Sequence, residues 1–166
     1  MRISREMDQI QSLIASDANY LAGFEPLQRS APALVILPVT AEWHVAQAQN
    51  SARSLLEDQC VSSLSRAYIV TAVSELATNL FFHATHGGLL TIGCQTDTRG
   101  HEILLTARDD GPGIPDLDQA LLDGFSTNGG LGGGLPGVNR LMDEFEIESR
   151  MGHGTHVRCR KWSPCR

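Results

Sequence analysis

The chain has 166 residues, the size of one domain, with 42% hydrophobic residues and a formal net charge of -6 at pH 7. The acidic surplus argues against nucleic acid as a partner, because such affinity rests on clustered Lys and Arg. No apolar run approaches the ~20 residues that span a bilayer, so no membrane partner is expected either.

The four cysteines, Cys60, Cys94, Cys159 and Cys165, show no C-x-x-C spacing, so neither a zinc knuckle nor a redox pair is expected. Residues 1–20 lack a signal-peptide h-region, and reduced thiols in the cytoplasm are the simplest reading.

In chain order, residues 1–30 form an N-terminal extension in which Ile3, Met7, Ile10 and Ile14 keep helical spacing before Gly23 and Pro26. A docking helix and a disordered arm are both open for this stretch. Residues 31–162 read as one domain and 163–166 as a tail. Residues 33–39 predict a strand, after which Thr40 is placed to cap a helix over 41–58. A second helix is predicted over 64–84, with Ser62 or Ser63 as its cap and Val70, Val73, Ala77, Leu80 and Ala84 as its buried stripe.

Residues 89–96 and 102–107 predict two strands around a polar turn. The glycine-rich stretch 124–137 leads into a helix with Pro136 in its first turn and Val138, Leu141, Met142 and Phe145 on one face. Strands over 145–149 and 155–162 complete an α/β pattern of helices on a mixed, mostly antiparallel sheet.

Four motifs carry chemistry. Glu75 and Asn79, four residues apart, share a helix face roughly opposite the buried stripe. A carboxylate beside an amide suits metal-nucleotide chemistry, although a solvated helix face carries the same pair. Asp109-Asp110-Gly111-Pro112-Gly113 follows a strand, where a carboxylate can accept a hydrogen bond from an exocyclic amine and glycines let the backbone approach a flat ring. Gly129 to Leu135 places many N–H groups ahead of a helix N-terminus, a cradle for anions. Gly152-His153-Gly154-Thr155 is a turn entering a strand. His83 and His86 lack a third metal-ligating partner at a convincing spacing, so a histidine at a cleft rim is the favoured reading.

Occurring once each and in this order, the four motifs resemble the N, G1, G2 and final boxes of the GHKL ATPase and kinase family, over roughly residues 33–162. Within the family, the stretch 123–131, the continuation 134–145 and Thr40-x-Glu42-Trp43 look like the stressosome serine/threonine kinases.

The resemblance implies a Bergerat-type two-layer α/β sandwich with helices on one face of the sheet. It also implies an ATP- and Mg²⁺-dependent serine/threonine protein kinase of a bacterial partner-switching pathway. Asp109 would bind the adenine amine with Thr155 assisting through water, and Gly111 and Gly113 would shape the base pocket. Asn79 would hold Mg²⁺, and the backbone of Gly130, Leu131, Gly132, Gly133, Gly134 and Leu135 would hold the phosphates as a lid. Glu75 would be the general base.

The implied partners are STAS-domain scaffold or antagonist proteins, with a PP2C-type phosphatase activated downstream by binding. An anti-sigma factor kinase and a non-catalytic ATP-binding switch are the alternatives. Phe82 stands where many histidine kinases have a basic residue, and Thr78 where the stressosome kinases usually have Arg.

Overall fold

The computed structural model describes residues 33–122 and 134–164. The expected N-terminal extension and most of the glycine-rich stretch lie outside them. The elements run β1 (Ala33–Val39), α1 (Trp43–Asp58), α2 (Ser63–His83), β2 (Gly88–Asp97), β3 (Gly100–Asp109), α3 (Leu117–Ala120), α4 (Gly134–Leu141), β4 (Glu144–Arg150) and β5 (Gly154–Pro164). The five strands form one sheet in the order β1-β2-β3-β5-β4, and every pairing is antiparallel. β5 runs to Pro164, two residues past the expected end, and Ser163 is buried.

Alternation along the strands sorts the side chains into two faces. The inner face carries Leu90, Ile92 and Cys94 of β2, Ile103, Leu105 and Ala107 of β3, and Val157 and Cys159 of β5, paired across the ladder. These join residues of α1, α2 and α4 in one core cluster, so the helices share a side and the molecule is a two-layer α/β sandwich. Leu89 and Leu104, on the opposite face, are buried without belonging to that core.

The long helix α2 is buried more broadly than a single stripe. Ile69, Ala72 and Leu76 are covered along with Val70, Val73, Ala77 and Leu80. The helix lies between α1 and α4 while resting on the sheet, so three neighbours claim its surface. Ser62 caps it, its hydroxyl accepting from Ser65 N–H at 3.2 Å.

Two expectations are corrected. Thr40 does not cap α1, which begins at Trp43. The ring of His44 turns back instead, and its Nδ1 accepts from the N–H groups of Thr40 at 3.1 Å and Ala41 at 3.0 Å. Phe145 is not on the last helix, which stops at Leu141. It belongs to β4, opposite Cys159, and packs on the core from there.

Cys94 and Cys159 are enclosed, and burial pushes their thiols up to about 11 and about 12, with a hydrogen bond to Thr96 partly offsetting the rise at Cys94. Cys60 is free and exposed. A thiol reagent at pH 8 should therefore label Cys60 on the order of 10²-fold faster than Cys94 or Cys159, because thiolate and access are both needed. Mapping the labelled peptides by mass spectrometry checks this; equal rates at the three positions contradict the packing.

Candidate nucleotide site

Asp109 ends β3 opposite Gly88, the first residue of β2, where the sheet stops and a loop begins. Its Oδ1 accepts from Gly111 N–H at 2.7 Å, which folds the Asp-Asp-Gly turn back on the carboxylate. A Cβ at Gly111 would come within 2.9 Å of that oxygen and 3.1 Å of Ala84 Cα, so no side chain fits between Asp109 and the end of α2.

Burial holds the Asp109 carboxyl above its usual range, against the opposing pull of N–H donors at Gly111 and Thr155. Neighbouring Asp110 adds to the rise and His83 to the pull. A carboxylate has about four lone-pair positions, so two backbone donors leave acceptor capacity in a desolvated place. Such a group favours a further hydrogen-bond donor.

The loop after Asp109 is tied to the β4–β5 hairpin. Pro112 C=O accepts from Gly152 N–H at 2.8 Å, and Gly113, at φ +76°, packs against Arg150. Ile114 N–H donates to Ser149 Oγ at 2.8 Å; Ser149 in turn donates to Gly154 C=O at 3.2 Å and meets Thr155 Oγ1 at 2.9 Å. The structure thus brings Asp109, Gly111, Gly113 and Thr155 together.

Ser149 is the residue that sequence reasoning missed. It links the loop to the hairpin, and its only signal was a hydroxyl three residues ahead of Gly152-x-Gly154-Thr155.

Glu75 and Asn79 are partly exposed on α2. With His83 they stand at i, i+4 and i+8 on one helix face, spanning ~12 Å at 1.5 Å per residue. His83 is exposed and ends α2, and Ala84 after it lies against the Gly111 turn, so this row runs toward the loop that follows Asp109. Gly134 and Leu135 open α4, and Leu135 packs against the core. Gly130, Leu131, Gly132 and Gly133 lie outside the described residues. Among the described residues no group of three or more His, Cys, Asp or Glu could hold a metal ion.

A desolvated acceptor stands at the end of the central strand β3, beside a glycine at which a Cβ would crowd it, with an amide and a carboxylate on the adjoining helix.

The profile of the histidine kinase-like ATPase domain matches residues 37–161. The serine/threonine-protein kinase RsbT of Bacillus subtilis (strain 168) is 44% identical over 126 residues, which is 75% of this chain and 92% of that protein. An anti-sigma F factor of Thermoanaerobacter sp. (strain X514) is 35% identical over 99 residues, 58% of this chain and 69% of that one. The crystal structure of the RsbU and RsbW domains of a Mycobacterium tuberculosis protein superposes with a TM-score of 0.55 at 17% identity. It covers 82% of this chain and 34% of the other, a likeness of fold. The fold, the ordered motifs and these likenesses agree: the chain belongs to the histidine kinase-like ATPase, or GHKL, family.

Proposed function

We propose that this site serves phosphoryl transfer from ATP to a Ser or Thr hydroxyl of a protein partner. The chain is a serine/threonine protein kinase of the partner-switching kind and uses ATP. The observation that carries the reading is the half-buried Asp109 carboxylate, pinned by Gly111 and Thr155 beside the row Glu75, Asn79 and His83.

ATP, when bound, supplies the γ-phosphoryl group. Asp109 would accept a hydrogen bond from the adenine amine, with Thr155 assisting, and Gly111 and Gly113 would shape the base pocket. Asn79 would hold Mg²⁺ through its amide oxygen, a donor that suits a hard cation. The backbone N–H groups of the sequence Gly130 to Leu135 would be the donors for the phosphates of ATP. Glu75, one helical turn from Asn79, takes the proton of the attacking hydroxyl.

The partners fitting this reading are cytoplasmic: a STAS-domain scaffold or antagonist as the phosphorylated protein, and a PP2C-type phosphatase as the protein activated by binding. A direct sigma-factor partner is the alternative that the anti-sigma relatives support.

Glu75→Ala should slow phosphorylation of the partner by about 10²-fold, the lower part of the range for general bases, because phosphoryl transfer leans mainly on positioning and charge neutralisation. Affinities for ATP and partner should stay near wild type. Asn79→Asp is the contrasting variant, in which a carboxylate beside the phosphates disturbs Mg-ATP binding itself. Single-turnover transfer of labelled phosphate reads the first effect and calorimetry the second. An unchanged rate in Glu75→Ala removes the base assignment. No transfer by the wild-type protein to any co-purifying partner makes the chain an ATP-binding switch.

A further inference from the structure

Ser149 is the last inward-facing residue of β4 and pairs with Thr155 of β5. Phe145 and Ile147, at the same parity on β4, pack on the core, so Ser149 and Thr155 continue that face to the end of the sheet. Thr155 N–H donates to the Asp109 carboxylate, so the three residues stand side by side on the neighbouring strands β4, β5 and β3. The Ser149 hydroxyl makes three contacts: with Ile114 N at 2.8 Å, Gly154 O at 3.2 Å and Thr155 Oγ1 at 2.9 Å.

A hydroxyl has one proton and two lone pairs, so these contacts fix its orientation. Ile114 N–H can only donate and takes one lone pair. Gly154 C=O can only accept and takes the proton. One lone pair is left for Thr155, which is therefore the donor across the 2.9 Å contact. The opposite assignment, with Ser149 donating to Thr155, forfeits the bond to the carbonyl of buried Gly154.

We infer that Ser149 sets the base specificity of the site by holding the Thr155 proton, an inference that rests on the proposed reading of adenine by Asp109. With that proton committed, Thr155 Oγ1 has only lone pairs to offer beside the carboxylate, and both side chains are acceptors. An exocyclic amine is a donor and satisfies such a pair, directly or through water. A purine with a carbonyl at the same position brings an acceptor to two acceptors, the mismatch by which a hydrogen-bonding site rejects an analogue. Ser149 acts through Thr155 and is a positioning residue. Without its oxygen the Thr155 proton is released to the site, where it can meet a carbonyl.

Calorimetry on the full chain with ADP and inosine diphosphate, which carry an amine and a carbonyl at that position, reads this without turnover. The wild-type protein should bind ADP about 10²-fold more tightly. Ser149→Ala should bind inosine diphosphate about tenfold more tightly than wild type does, the worth of one hydrogen bond gained, while its ADP affinity changes by less than about threefold. A gain for the wrong base is decisive, because a variant that merely loosened the loop would weaken both nucleotides. Ser149→Thr keeps the hydroxyl and should retain the wild-type rejection. Ser149→Ala combined with Thr155→Val has no hydroxyl proton to release and should show no gain. Ser149→Cys, near in size and only a weak acceptor, should show the same gain and carries the comparison where Ser149→Ala does not fold. Inosine diphosphate bound no more tightly by the folded Ala or Cys variant than by wild type overturns the role of Ser149 and leaves the adenine reading in place. A gain that persists with Thr155→Val overturns it as well. Equal wild-type affinity for the two nucleotides removes the adenine reading, and the role of Ser149 with it.

Discussion

Asp109→Asn is expected to lower ATP affinity by about 10³-fold, or ~4 kcal/mol, while the fold survives. The asparagine oxygen can still accept from Gly111, so the turn after β3 keeps its shape. What changes is the side facing the base: an amide N–H₂ meets an amine donor, a charge-assisted hydrogen bond is lost and a buried donor is left unpaired. Calorimetry reads the affinity and circular dichroism the fold. Near-normal affinity in a folded variant would remove Asp109 from the nucleotide site.

The same carboxyl predicts a pH signature. Its native pKa is raised, so between the unfolded and native values the folded state holds more protons, and ionisation of Asp109 subtracts stability as pH rises through that window. A bound amine donor favours the ionised form. The thermal stabilisation given by ATP should therefore grow as pH rises across the window and shrink as it falls.

Gly154→Ala is expected to destabilise the protein by ~4 kcal/mol or prevent folding, with Gly152→Ala as its internal control. Both glycines have positive φ, +88° and +73°, so both substitutions carry the ~1 kcal/mol cost of left-handed backbone. They differ in surroundings: a Cβ at Gly152 meets nothing within 4 Å, whereas one at Gly154 overlaps the carbonyl oxygen of Asp109. That oxygen is main chain at the end of a paired strand and cannot move aside without opening β3 from β5. Urea unfolding should thus separate the two variants by ~3 kcal/mol. Equal midpoints would mean that the hairpin does not press on Asp109.

Much of this was legible in the sequence. The strands at 33–39, 89–96 and 102–107 and the helix at 64–84 follow from periodicity, and the grouping of Asp109, Gly111, Gly113 and Thr155 from the family resemblance that the ordered motifs carry. The departures have local causes. A capping residue was sought at Thr40 because hydroxyls usually serve there, and no propensity scale anticipates an imidazole reaching back from His44. Phe145 fits both a helical stripe and a strand, and the choice depends on where α4 stops. The strand β2 shows little alternation because both its faces are buried. Ser149 went unnoticed because its importance arises only when the loop after β3 folds against the hairpin. The row from Glu75 to His83 was readable as a helix face, but its closeness to Asp109 depends on how α2 crosses the sheet.

The strand order has an evolutionary corollary. β3 and β5 lie side by side, and residues 110–153, with the turn after Asp109, α4 and β4, form one excursion between them. Closing such an excursion costs entropy that grows only with the logarithm of its length, so lengthening it by a quarter adds about 0.2 kcal/mol. An insertion in that stretch that leaves α4, β4 and the bonded turn after Asp109 in place is therefore cheap for the scaffold, while a single methyl group at Gly154 is not. Divergence in what such proteins recognise has an open route through the length of this excursion, and almost none through the hairpin that closes it.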